Sequence, residues 1–173
     1  MNYFLMGYMG SGKSTIGPLL AEALSYNFLD FDAYIEEKEG SSITEIFENK
    51  GEIYFRKAET RHLKALIDNN DDDTIIALGG GTPCYGNNLQ LIKDANAKTI
   101  YLNWNFKVLA NRLWQAKEQR PLIASMQSLE DLEDYIRKHL FERGFYYNQA
   151  DIVVKVESQS AEELTAQILK KLL

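Results

Sequence analysis

Five short runs rich in β-branched, aromatic and aliphatic residues punctuate the chain: Tyr3–Met6, Phe28–Leu29, Thr74–Leu78, Thr99–Leu102 and Ile152–Val156. They read as strands. Between them lie longer stretches with helical spacing. Residues 15–24 carry Ile16, Leu19, Leu20, Ala23 and Leu24 on one stripe, and residues 53–67 carry Phe55, Leu63, Leu66 and Ile67. Ser42-Ile43-Thr44-Glu45 and Ser160-Ala161-Glu162-Glu163 have the hydroxyl and returning glutamate of a capping box, so a helix opens at each. Ser128-Leu129-Glu130-Asp131 is a weaker version of the same signal. Single strands separated by helices need right-handed crossovers. The pattern therefore predicts an α/β fold: a three-layer, doubly wound, five-stranded parallel sheet. Its ligands belong at the carboxyl ends of the strands.

Composition narrows this picture. At ~150 residues per domain, 173 residues make one domain, spanning 1–173. The single cysteine, Cys84, excludes an intramolecular disulfide and a cysteine-cluster metal site, and reads as an ordinary small residue. No apolar run approaches the ~20 residues of a membrane span. Met1–Gly7 has no basic stretch of the secretory kind, so a soluble cytoplasmic protein is expected. The net charge of −6 argues against extended nucleic-acid binding. A small anionic ligand would need basic groups gathered locally against that field. The acid-rich stretch 68–73 reads as a solvated loop between a helix and a strand.

The first strand runs into Gly7-Tyr8-Met9-Gly10-Ser11-Gly12-Lys13-Ser14-Thr15, which satisfies G-x-x-x-x-G-K-[ST]. Glycines let the backbone turn its N–H groups inward as an anion nest, and the next helix presents its positive N-terminus. Lys13 reaches phosphate as a point charge, and the Ser14 hydroxyl is a hard oxygen suited to Mg²⁺. The second strand ends in Asp30-Phe31-Asp32. If it stays extended, both acids point to one face beside the phosphate loop. Alternatively Asp32 is a plain N-cap for a helix over 33–39. The third strand ends in Gly79-Gly80-Gly81, which lets a ligand approach the main chain, or is simply a flexible turn.

Arg56 has Glu52 at i−4 and Glu59 at i+3. It is either a surface ion pair or a guanidinium held by Glu59 to grip a carboxylate. The basic stretch from Arg112 to Arg120 breaks at Pro121, and an irregular segment follows up to Ser128, the size of a mobile lid over about 112–127. Arg143 sits at the end of a helical stretch and either binds a ligand or a C-terminal carbonyl. Tyr146 and Tyr147 are expected to pack, and His62 and His139 to face solvent.

As an ordered set these motifs resemble the shikimate kinase family of P-loop kinases. The resemblance rests on residues 7–15, Asp30-x-Asp32, Gly51-Glu52-x-x-Phe55-Arg56-x-x-Glu59, Gly79-Gly80-Gly81, Arg120-Pro121-Leu122 and Arg143-x-x-x-Tyr147. It implies phosphoryl transfer from ATP to the 3-hydroxyl of shikimate, with Mg²⁺, on the route to chorismate and the aromatic amino acids. It also implies roles. Gly10, Ser11, Gly12, Lys13, Ser14 and Thr15 would hold ATP, with Arg112 beside the adenine. Ser14 and Asp30 would position the metal. Asp32, Arg56, Gly80 and Arg143 would bind shikimate, with Glu59, Gly79 and Gly81 supporting them. Lys13, Asp32 and Arg120 would act in the transfer itself. ATP and shikimate are the expected partners of a monomer, with no nucleic acid or membrane. The chain departs from the family pattern at Phe145-Tyr146, where Pro-Leu is common, and at Pro121-Leu122-Ile123; neither change removes a charged group. The rival readings are another small-molecule P-loop kinase, such as a gluconate or nucleoside monophosphate kinase, or a non-catalytic nucleotide-binding relative. The chain has no Asp-Gly dipeptide of the nucleoside kinase kind, and it keeps Lys13, Asp32 and Arg120.

Overall fold

A computed structural model describes residues 1–173. The elements in chain order are β1 (Asn2–Met6), α1 (Lys13–Leu24), β2 (Asn27–Asp30), α2 (Phe31–Glu39), α3 (Ile43–Asn69), β3 (Thr74–Ala77), α4 (Asn88–Asp94), β4 (Ala97–Trp104), α5 (Phe106–Gln115), α6 (Leu129–Tyr147), β5 (Ile152–Val156) and α7 (Ala161–Leu172). Short 3₁₀ turns occupy Thr82–Cys84 and Lys117–Gln119. The five strands are all parallel, in the order β2-β3-β1-β4-β5.

Alternation along β1 explains the three layers. Tyr3 and Leu5 face α1 and α7, joining Ile16, Leu20, Leu164 and Ile168. Phe4 and Met6 face the other way, onto Phe31 and Ile35 of α2, Leu63 of α3, Ile92 of α4 and Tyr147 of α6. A third cluster packs Leu109 and Leu113 of α5 against Leu132 and Ile136 of α6, with Tyr8 and Ile123 between them. No helix is long and apolar enough to cross a membrane.

Register sets the site. Leu5 pairs with Ala77, and Ala77 with Asp30. The segments leaving β1, β2 and β3 therefore emerge at one rim of the sheet.

Several expectations are corrected. β2 stops at Asp30, and Asp32 lies in the first turn of α2, so the two acids do not share an extended face. Asp30, not Asp32, is the N-cap: its Oδ1 accepts from Ala33 N–H at 3.2 Å. β4 is longer than its apolar run, because main-chain pairing continues through Lys98 and Asn103. The helix before Pro121 ends already at Gln115. Helix α4 has no counterpart in the periodicity; seven residues are too few to register it.

The helix capped at Ser42 and the helix over 53–67 are one run, α3, interrupted at Gly51 (φ 83°, ψ 171°). That backbone region is open to glycine and costs other residues roughly 1–3 kcal/mol. A Cβ at Gly51 would meet no atom within 4 Å, so the cost is purely conformational. Gly51→Ala should accordingly lower unfolding free energy by about 1–3 kcal/mol in urea denaturation. An unchanged midpoint would contradict the kink.

Candidate active site

The chain leaves β1 at Gly7, loops back, and enters α1 at Lys13, so the first N–H groups of α1 open on the rim. Lys13 is 9% exposed; its Nζ donates to Gly7 O (2.7 Å), Tyr8 O (3.0 Å) and Ser11 Oγ (3.3 Å). Burial lowers its pKa to about 8; Asp32 and Asp30 oppose that shift, and Arg143 and Arg120 add to it. Trp104, the last residue of β4, donates its Nε1–H to Ser11 O at 2.9 Å and pins the loop.

Ser14 Oγ donates to Asp30 Oδ2 at 3.3 Å. These are two hard oxygen donors side by side. No group of three or more His, Cys, Asp or Glu side chains is arranged to hold a metal. A divalent cation here would thus draw its other ligands from water and a bound phosphate, as Mg²⁺ commonly does.

Asp32 stands in the first turn of α2, beside Gly79. A Cβ at Gly79 would lie 2.7 Å from Asp32 Oδ1 and 2.9 Å from Thr82 Oγ1, so only glycine fits. Burial, then the charges of Asp30 and Glu59, raise the Asp32 carboxyl to about 6, while Lys13 pulls it down.

Two cavities open at this rim. The first, about 270 Å³, is lined by Gly10–Thr15, Asp30, Asp32, Gly79, Gly80, Arg112 and Arg120. The second, about 190 Å³, is lined by Asp32, Arg56, Glu59, Gly79–Gly81, Leu122, His139 and Arg143, with Phe47 and Phe55 as apolar wall. Met9, Asp32, Gly79 and Gly80 belong to both. Every residue that the resemblance gives a binding, supporting or catalytic role therefore lines one cavity or the other.

Arg56 is not a surface pair. Its Nη1 donates at 2.9 Å to Glu59 Oε1, and the Glu59 side chain is 1% exposed. Exposed Glu52 stays 3.9 Å from its Nε. Arg143 binds no helix-end carbonyl; its guanidinium lies 5.6 Å from the Tyr8 ring centre, and a Cβ at Gly80 would be 3.4 Å from its Nη1. Arg112 lies over the Trp104 ring at 5.2 Å. Arg120 opens the turn 120–125, which is anchored by fully buried Ile123.

The sequence pattern that defines shikimate kinases matches residues 9–173. A shikimate kinase from Flavobacterium johnsoniae is 46% identical over 165 residues, covering 95% of both chains. The chain belongs to the shikimate kinase family. Two solved members superpose closely. The enzyme from Bacteroides thetaiotaomicron has a TM-score of 0.88 at 34% identity, covering 99% of this chain and 97% of that one. The Acinetobacter baumannii shikimate kinase in complex with shikimate has 0.85 at 34% identity, with coverage of 99% and 92%.

Within this family member the sequence reading missed several lining residues. Leu122, 71% exposed, reaches the second cavity from the turn that carries Arg120. His139 does not face solvent: its Nδ1 pairs with the Tyr8 hydroxyl at 2.9 Å, and burial, then Arg143, lower its pKa. His62 likewise pairs with Glu39 Oε1 at 2.6 Å. Hydrogen bonds from Tyr54 and then His62 hold the Glu39 carboxyl at about 2, far below the usual range. Cys84 has no such partner set; burial raises its thiol to about 11, consistent with an inert residue.

A carboxyl titration followed by NMR should place Asp32 near 6, and Asp30→Asn should lower that value by removing a like charge. Since the folded value lies above the unfolded one near 4, ionising Asp32 costs stability as pH rises through that window. A value near 4 in the parent protein would contradict the buried placement.

Proposed function

We propose that this chain transfers the γ-phosphoryl group of ATP to the 3-hydroxyl of shikimate, giving shikimate 3-phosphate and ADP. The observation that carries the reading is the shared wall: the phosphate-loop cavity and the arginine-lined cavity meet at Asp32. A donor in one and an acceptor in the other face each other across that carboxylate.

On this reading the loop N–H groups and the α1 terminus bind the phosphates of ATP, with Lys13 on the β- and γ-phosphates and Arg112 beside the adenine. The anionic phosphates restore the full charge of Lys13, which burial alone weakens. Ser14 and Asp30 hold Mg²⁺. Bound there, Mg²⁺ neutralises phosphate charge. In the second cavity Arg56 and Arg143 clamp the shikimate carboxylate, and Gly80 offers backbone to a ring hydroxyl. Its carbonyl accepts from the Tyr147 hydroxyl, which holds this stretch of backbone in place beside the cavity. Glu59 fixes Arg56.

Asp32 accepts the proton of the attacking hydroxyl as its oxygen bonds to the γ-phosphorus. The bond from phosphorus to the β–γ bridging oxygen breaks, and ADP leaves. A carboxyl near 6 is ionised at neutral pH yet basic enough to take a proton. The transition state is loose and its charge sits on peripheral oxygens, so positioned cations supply most of the rate. Lys13 and Arg120 fill that role. The segment of about 112–127 works as a lid: Arg120 lines the donor cavity and Leu122 the acceptor cavity, so one movement closes both against water. Residues 1–173 act as one kinase domain. A monomer suffices, since every cation of the site comes from one chain.

The test is ADP release with ATP and Mg²⁺, comparing shikimate, gluconate and no acceptor, in the parent and in Arg120→Ala. Shikimate alone should support turnover, and Arg120→Ala should lower kcat by ~10³-fold with little change in ATP affinity. Equal rates with gluconate, or equal turnover in the variant, would overturn the reading.

A further inference from the structure

The carboxylate of Glu59 is buried, with 1% of its side chain exposed. A buried carboxylate is tolerated only when both oxygens find donors. Arg56 Nη1 supplies one, to Oε1 at 2.9 Å. The other comes from outside helix α3 altogether: Thr82 Oγ1 donates to Glu59 Oε2 at 2.8 Å. Thr82 is the residue after the triple glycine and is itself fully buried.

Thr82 has little freedom to withdraw. Its N–H donates to Gly79 O at 3.1 Å, and its carbonyl accepts from Asn88 Nδ2 at 2.9 Å. Asn88, also fully buried, accepts at Oδ1 from Thr60 Oγ1 at 2.7 Å. Glu59 directly, and its neighbour Thr60 through Asn88 at the start of α4, are thus tied to the turn that follows β3. The same turn supplies Tyr85, whose ring centre lies 3.7 Å from Arg56 Cζ. The guanidinium is held by Glu59 at one edge and by an aromatic face, and both supports trace back to residues 82–85.

We infer that Thr82 is a positioning residue for the acceptor clamp: its hydroxyl fixes Glu59, and Glu59 with Tyr85 fixes Arg56 in the plane needed to meet a carboxylate with two parallel N–H bonds. This rests on the reading that Arg56 grips the shikimate carboxylate. A two-pronged bond is strong only when the fork is pre-aligned. Removing the Thr82 hydroxyl leaves Glu59 Oε2 buried without a donor, so the carboxylate turns and Arg56 loses its alignment. Thr82 itself lines neither the donor nor the acceptor cavity.

The test is a kinetic cycle over the parent, Thr82→Val, Arg56→Lys and the double variant, with ATP, Mg²⁺ and shikimate as substrates. Thr82→Val should raise the shikimate KM about 10-fold, the size of one lost hydrogen bond to a charged group. The kcat and the ATP KM should stay within about 2-fold, because the phosphate side keeps its contacts. Thr82→Ser should restore the shikimate KM. In the Arg56→Lys background, Thr82→Val should add less than about 2-fold, because the residue it aligns is already altered. Thr82→Ala against Thr82→Ser carries the same comparison, one hydroxyl apart, should the valine variant not fold. A parental shikimate KM in both Thr82→Val and Thr82→Ala, no rescue by serine, a parallel rise in ATP KM, or full additivity with Arg56→Lys would each overturn the inference. If Arg56→Lys alone leaves the shikimate KM unchanged, the carboxylate clamp itself is wrong. If it raises KM and the Thr82 variants do not, only the positioning role fails.

Discussion

Two hollows touch through a shared wall that is mostly backbone. Gly79 and Gly80 form it beside Met9, and Asp32 is the one ionisable group common to both. Reaction between two bound anions requires this kind of contact: the reacting atoms must come within bonding reach while each partner's charge is neutralised separately. A Cβ at Gly79 would collide with Asp32, so backbone and carboxylate are fitted to each other. Parallel strands in register make the contact possible, because Leu5, Ala77 and Asp30 are level and their following segments leave the sheet side by side.

Electrostatics work against the overall charge of −6. The chain answers by concentrating Lys13, Arg56, Arg112, Arg120 and Arg143 around one rim. Burial acts on both signs at once there. It weakens the charge on Lys13 and also raises Asp32 toward neutrality, the two shifts that the proposed transfer uses. The supporting contacts come from unlike places: Trp104 on β4 fixes the phosphate loop, and Thr82 beyond β3 fixes Glu59.

The layered fold was readable because each apolar run matched a strand and each capping box opened a helix, as at Ser42 and Ser160. The phosphate loop was readable because its spacing is itself the chemistry. Arg56 and Glu59 were readable as a pair, though not as buried. What stayed hidden depends on tertiary partners. His139 sits among charged neighbours in sequence, yet meets Tyr8, more than a hundred residues away. His62 finds Glu39 only once α2 and α3 pack. That Asp30 rather than Asp32 caps α2 turns on where a four-residue strand stops, which apolar pattern does not specify. Thr82 carries no local sign of function, since its partner Glu59 lies on another element.

The central claim is that donor and acceptor meet across Asp32. A crystal structure of this chain with a non-hydrolysable ATP analogue, Mg²⁺ and shikimate tests it most directly. The account predicts the shikimate 3-hydroxyl within about 2.6–3.2 Å of an Asp32 oxygen, facing the γ-phosphorus, with its carboxylate on Arg56 and Arg143. Shikimate bound away from Asp32, or with its carboxylate turned toward the phosphate loop, would contradict it.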